Sequence, residues 1–254
     1  MTSAKPERVA VPEVTEWPSP NHDARPPAAA LDMLILHYTG MVSGDAALAR
    51  LCDGEARVSA HYMIDEDGTV YRLVAEDHRA WHAGVSCWRG DREVNGRSIG
   101  VEVVNPGHEF GYRPFPEVQM MSVVALCRDI VTRHPVPPRH VLGHADVAWA
   151  RRHDPGELFD WAVLADAGVG LWPDAPVVTG EMGMVLRRGD GGAAVDDIRR
   201  SLAGFGYDVA DKGAFDEALE LVVIAFQRHF RQRLVNGVVD PETAQRIFQV
   251  LARA

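Results

Sequence analysis

Residues 98–104 read Ser-Ile-Gly-Val-Glu-Val-Val, a β-branched run of strand character interrupted by one carboxylate, Glu102. A carboxylate in an apolar strand is costly unless it is paired or functional. Period-two alternation puts Glu102 on the opposite face from Val101 and Val103, and leaves open whether that face meets solvent or a site. In a partly desolvated site its pKa would rise, suiting it to general acid/base work, while a nearby cation would oppose the shift. Upstream, Met33-Leu34-Ile35-Leu36 is a short buried-strand run that ends at His37. Val58–Val74 reads as a hairpin turning at Asp65-Glu66-Asp67-Gly68. Downstream, Val118, Met121 and Ala125 recur at helical spacing in a segment that Pro135 stops, and Val141-Leu142-Gly143 is another short strand. Strands interleaved with helices predict an α/β domain, a central mixed β-sheet flanked by helices.

The texture changes at Trp172-Pro173-Asp174-Ala175-Pro176. Beyond it, one helix is expected near Ala194–Leu202, ending at Gly204 or Gly206. A second has Asp216 as its cap and Leu219, Val222, Val223, Phe226 and Phe230 on its apolar face. A third opens at Asp240-Pro241 and carries Ile247 and Leu251. The expected organisation is a proline-rich N-terminal extension over 1–30, an α/β domain over 31–172, a linker over 173–181 and a small three-helix domain over 182–254.

At 254 residues, with 46% apolar and 24% charged residues, the chain has enough to build a buried core. No run of ~18 uncharged apolar residues appears, so no transmembrane segment is expected. A net charge of −10 argues against nucleic acid as the partner, because phosphate binding needs a basic face. Residues 182–254 are charge-balanced, so the acidity lies in residues 1–181. Cys52, Cys87 and Cys127 have neither disulfide-framework nor zinc-site spacing. The first residues lack the apolar core of a secretory signal, which predicts a cytoplasmic protein, or a periplasmic or cell-wall one if the chain is exported or trimmed. Oligomeric state is not legible.

Eleven histidines invite sorting. His144 follows the strand Val141–Gly143, and Asp154 comes ten residues later, before a Pro-Gly turn able to fold it back. His37 ends the first strand, at the rim of the sheet. Two histidines and a carboxylate with an open fourth position form a common catalytic zinc set, and such a metal activates water and polarises a carbonyl. A histidine at a strand end is also commonly hydrogen-bonded and structural, and spacing alone does not separate the two. No G-x-S-x-G motif is present and no cysteine lies in a motif, so a serine or cysteine hydrolase has little support.

Several stretches together resemble the zinc-dependent N-acetylmuramoyl-L-alanine amidases of the peptidoglycan-recognition superfamily. They are LHYTG with His37, SAHYMIDEDGTVYRLV, AWHAG with Trp81 and His82, SIGVEVVN with Glu102, and GHADVAWARRHDPG with His144 and Asp154. The likeness runs in order from about Leu31 to Trp161. It implies one Zn2+ per chain on His37, His144 and Asp154, and cleavage of the amide between N-acetylmuramic acid and L-alanine of a peptidoglycan stem peptide. It also implies Glu102 as catalytic acid/base, Arg152 as oxyanion stabiliser, and His61, Trp81, His82 and Asn105 as residues that orient substrate. Two positions depart from the family pattern. Arg152 stands where lysine is usual, which keeps the charge but presents a planar fork. Ala60 precedes His61 where another branch has a catalytic tyrosine, so the catalytic burden falls on Glu102. The C-terminal stretch, with Leu186-Arg187-Arg188-Gly189 and Phe226-Gln227-Arg228, resembles the three-helix peptidoglycan-binding domain appended to wall hydrolases. The expected role is trimming of muropeptides, including 1,6-anhydro forms, in cell-wall recycling. The alternatives are a wall-acting amidase on intact peptidoglycan and a non-catalytic peptidoglycan receptor.

Overall fold

The computed structural model describes residues 13–27, 29–175 and 184–254. Most of the expected linker, residues 176–181, and the first part of the N-terminal extension lie outside the described residues. In chain order the elements are β1 (Val14–Glu16), β2 (His22–Ala24), β3 (Met33–Tyr38), α1 (Gly44–Cys52), β4 (Tyr62–Ile64), β5 (Val70–Arg72) and β6 (His78–Ala80). They continue with α2 (Val94–Arg97), β7 (Ser98–Val103), α3 (Gly107–Phe110), α4 (Glu117–Arg133), β8 (Val141–Gly143), α5 (His144–Val147) and α6 (Trp161–Asp166). The C-terminal part holds α7 (Ala193–Phe205), α8 (Glu217–Phe230) and α9 (Pro241–Ala252).

Six strands form one sheet in the order β1-β5-β4-β7-β3-β8, and β2 pairs with β6 separately. Every neighbouring pair of the main sheet is parallel except the β4–β5 hairpin, so the sheet is mixed. Alternation sorts its two faces. Leu34, Leu36, Ile99, Val101 and Val103 pack with Val123, Leu126 and Ile130 of α4. Met33 and Ile35 face the other way and join a cluster that includes Ala145 and Val147 of α5 and Phe205, Phe226 and Phe230 of the C-terminal helices. One apolar cluster thus runs through both the α/β part and the three-helix part. The N-terminal extension contributes β1 to the sheet edge, and its Arg25 guanidinium donates to the carbonyls of Glu76, Gly96 and Ser98.

The C-terminal helices start where their caps predict. Asp216 accepts from Leu219 N, Asp240 accepts from Thr243 N with Pro241 in the first turn, and α7 stops at Gly206. Helix α4 lies where expected but is rotated. Val118 and Met121 are exposed, while Met120, Val123, Leu126 and Ile130 are buried. The reason is polar: the buried Gln119 donates to the carbonyls of Ile64 and Val104 at 3.1 and 2.9 Å, adding a second donor to the Ile64 carbonyl, which also accepts from Val104 N, and meeting the Val104 carbonyl where β7 has ended. All three cysteines are free thiols, and Cys87 and Cys127 are buried. No helix among the described residues is long and apolar enough to cross a membrane.

Candidate active site

The site lies at the carboxyl ends of the central parallel strands, where open α/β sheets usually place their ligands. His37 and Glu102 are direct partners across β3 and β7, so both project on one face. His144 opens α5 immediately after β8, and the loop after α5 returns Asp154, whose carbonyl accepts from Ala145 N at 2.8 Å. Sequence periodicity left Glu102 a choice of surroundings. The fold turns it into the cleft, where its Oε2 is buried without a hydrogen-bond partner among the described residues.

His37 Nδ1, His144 Nδ1 and Asp154 Oδ2 form a triangle with sides of 3.0, 2.9 and 3.0 Å. A tetrahedron whose corners stand ~2.0–2.1 Å from zinc has edges of about 3.3 Å, so the three donors match one face of such a site. All three residues are buried, and each offers one ligand atom. The outer nitrogens settle the tautomers. His144 Nε2 donates to the Ala83 carbonyl at 3.0 Å, leaving its Nδ1 without a proton.

His37 Nε2 lies 3.0 Å from His82 Nδ1, His82 Nε2 lies 3.1 Å from Ser98 Oγ, and that hydroxyl donates to the Val94 carbonyl at 2.6 Å. One proton arrangement satisfies the series: His37 donates to His82, His82 to Ser98, and Ser98 to Val94. His37 Nδ1 is then bare as well. Three lone-pair atoms converge with no proton between them, an arrangement that a cation stabilises, so the residues present fit a metal ion.

Electrostatics agree. Burial, and after it the neighbouring His144, push His37 down to about 4. Burial alone would raise Asp154, but His144 and His37 beside it hold its carboxyl well below the usual carboxylate range. His82 is held far below the ordinary histidine value by burial and then by the rings of His37, His61 and His144. Glu102 goes the other way. Burial and then the charge of Asp154 raise it well above the usual value, against the pull of Arg152.

A cleft of about 840 Å³ opens over these groups, lined by Tyr38, Arg50, His108, Phe110, Arg152 and His153 among others. Arg152 is exposed on its wall. The four residues expected to orient substrate fare differently. His82 reaches the cleft, yet its ring nitrogens are taken by His37 and Ser98. His61 is fully buried, accepts from Gly100 N at 2.9 Å and sits between Arg25 and the His78 carbonyl, outside the cleft lining. Trp81 lies under the Arg57 guanidinium, 5.5 Å from its ring centre, and does not line the cleft either. Asn105 is fully buried, donating to the Arg113 carbonyl and accepting from Gly107 N, so it shapes the α3 loop instead of meeting a ligand. These side chains are already occupied by the protein's own polar groups.

Two contributors escaped the reading of motifs. Gly100 is bare because the His82 ring lies on it; a Cβ there would sit 2.4 Å from that ring. Arg151 donates to the Ala83 and Val85 carbonyls and lies 3.4 Å from His144 Nε2, bracing the segment that orients His144. A glycine in an otherwise β-branched strand was the available signal for the first. A surface arginine gives none for the second.

A family model described as N-acetylmuramoyl-L-alanine amidase matches residues 27–157, just over half of the chain. The chain belongs to this amidase family. A peptidoglycan binding domain model matches residues 191–247 of the same amidase. The amidase is 36% identical over 225 residues to the N-acetylmuramoyl-L-alanine amidase AmiD of Escherichia coli (strain K12), covering 84% of this chain and 79% of AmiD. It is 33% identical over 162 residues to the 1,6-anhydro-N-acetylmuramyl-L-alanine amidase AmpD of Enterobacter cloacae, covering 57% of this chain and 84% of AmpD. Among solved structures, E. coli AmiD in complex with the substrate anhydro-N-acetylmuramic acid-L-Ala-D-gamma-Glu-L-Lys matches with a TM-score of 0.75 and 34% identity, over 90% of this chain and 92% of that one.

Proposed function

We propose that this amidase hydrolyses the amide between N-acetylmuramic acid, 1,6-anhydro forms included, and L-alanine of peptidoglycan stem peptides, in cell-wall recycling. We assign one Zn2+ per chain to His37, His144 and Asp154. The observation that carries the reading is the convergence of three unprotonated donor atoms within 3.0 Å of one another, beside Glu102, whose buried Oε2 has no partner among the described residues. The likeness to AmiD and AmpD supports the substrate class.

Zinc bound there would supply a Lewis acid that lowers the pKa of water and polarises a carbonyl. The remaining work falls to side chains. Glu102, with its raised pKa, is suited to take the proton from the attacking water and deliver it to the L-alanine nitrogen as the C–N bond breaks. Water's oxygen stays on the lactyl carbonyl carbon, and the products are the muramic carboxylate and a stem peptide with a free amine. Arg152, on the cleft wall, is suited to neutralise charge growing on the carbonyl oxygen. His82 holds the His37 ring, and Arg151 braces the backbone that accepts from His144. Their task is orientation. The C-terminal domain, over 182–254 in our division of the chain, is assigned to peptidoglycan or muropeptide contact.

The test pairs an anhydromuramyl peptide with purified sacculi and reads product masses before chelation, after it, and after zinc is restored. The expected result is release of stem peptide from the soluble fragment, lost on chelation and regained with zinc. Cleavage of sacculi alone would make the protein a wall-acting amidase. No cleavage in any metal state would leave a peptidoglycan receptor.

A further inference from the structure

The three-helix part meets the α/β part at a buried polar knot directly behind the candidate metal ligands. Asp146 sits in the single turn of α5 that His144 begins, and it is only 1% exposed. Its Oδ2 accepts from Gly143 N at 2.8 Å, tying down the backbone just before His144. That same oxygen accepts from His229 Nδ1 of α8 at 2.7 Å, and Oδ1 accepts from the Tyr207 hydroxyl at 2.5 Å. Two of its three donors therefore come from the three-helix part, His229 from α8 and Tyr207 from just past the end of α7. His229 is clamped in turn, stacked between Trp161 at 3.7 Å and Phe230 at 3.8 Å. The next amide along α5, Ala145 N, donates to the Asp154 carbonyl. The turn that Asp146 anchors thus carries one ligand and holds the backbone of another.

We propose that Tyr207 and His229 are positioning residues: through Asp146 they set the place of His144 relative to Asp154, so the C-terminal domain is a working part of the metal site as well as a wall-contact module. This rests on the assignment of zinc to His37, His144 and Asp154. An appended affinity module needs only a tether. A buried carboxylate that draws two donors from another domain makes metal geometry depend on that domain being docked. Removing either donor strands a lone pair of a buried ion, and the turn shifts to recover a partner.

The full chain is tested as Tyr207→Phe, which keeps the ring, as His229→Leu, and as His229→Asn, whose amide returns a donor close to the Nδ1 position. Four quantities are measured: the zinc dissociation constant by competition with a chromophoric chelator, kcat and KM on a soluble anhydromuramyl peptide, and the midpoint of thermal unfolding. Tyr207→Phe and His229→Leu are expected to bind zinc about 10–100-fold more weakly and to lose kcat with little change in KM, with most of both regained in His229→Asn. Parental zinc affinity and kcat in Tyr207→Phe, whether or not the midpoint is lowered, would overturn the proposal and leave the knot a structural joint. A parent chain that itself binds no zinc would instead overturn the metal assignment, and this proposal with it.

Discussion

At the scale of the residue, the site is a set of side chains whose hydrogen bonds are used up on all sides but one. His37 and His144 spend their outer nitrogens on His82 and Ala83, which directs their inner nitrogens toward Asp154. Glu102 is left with one buried oxygen that has no partner among the described residues. Glu102→Gln is therefore expected to retain zinc while kcat falls by about 10²–10⁴-fold, checked by metal content alongside initial rates. His144→Ala should lose zinc and activity together. Gly100 offers a sharper check of the hydrogen-bonded series. Gly100→Ala places a methyl 2.4 Å from the His82 ring, so His82 must leave His37. Zinc affinity is expected to weaken about tenfold or more, read by chelator competition. Unchanged affinity would mean that His82 has no hold on the ligand. Histidine, glutamate and aspartate as the candidate residue types were legible in the motifs, because chemistry restricts which side chains can hold a metal or move a proton. The occupation of His61 and Asn105 by backbone groups was not, because a histidine's free nitrogen is defined only by what surrounds it.

At the scale of the element, periodicity located helices better than it oriented them. The caps Asp216 and Asp240 act locally through N–H groups three residues on, so they could be read from composition. The rotation of α4 could not. Its buried face is decided by Gln119, which completes the carbonyls of Ile64 and Val104 from residues far away in the chain. Gln119→Leu should strand the Val104 carbonyl, leave the Ile64 carbonyl with Val104 N alone, and cost about 1–3 kcal/mol in denaturant unfolding, whereas Met121→Lys, on the exposed side, should stay within about 0.5 kcal/mol. Equal losses in the two variants would place the helix the other way round. Glu102 follows the same logic: alternation assigned it to a face, and only the β3–β7 register with His37 made that face a cleft.

At the scale of the whole molecule, one apolar cluster joins β3 and α5 to α7 and α8. Unfolding of the full chain in chelator is accordingly expected as one cooperative transition, with near- and far-ultraviolet dichroism coinciding. Stability should also decline on acidification. His37, His61 and His82 are all shifted down in the fold, His61 to about 3 by burial and then by Arg25. The unfolded chain therefore binds protons that the folded chain refuses from about pH 6.5 downward, a loss of up to about 1.4 kcal/mol per pH unit for each histidine. Glu102, shifted upward, takes up a proton in the fold and opposes part of this. Unfolding free energies of the metal-free chain at pH 7 and pH 5 measure the balance. A flat profile would mean that the three rings are not held neutral.

The sequence alone determined the mixed α/β architecture and the helical C-terminal part, because those features depend on local periodicity and capping. It singled out His37, His144, Asp154 and Glu102 as candidates, and the resemblance to the amidases, where spacing alone left the choice open, joined them into one expected site. Tertiary structure decided which side chains remain available and which are consumed. It buried His61 and Asn105 among backbone groups, rotated α4 about Gln119, and brought Tyr207 and His229 against Asp146. The physical reason is that a hydrogen bond is satisfied by whatever lies within about 3 Å of it, and residues more than sixty positions apart in the chain come that close only once it has folded.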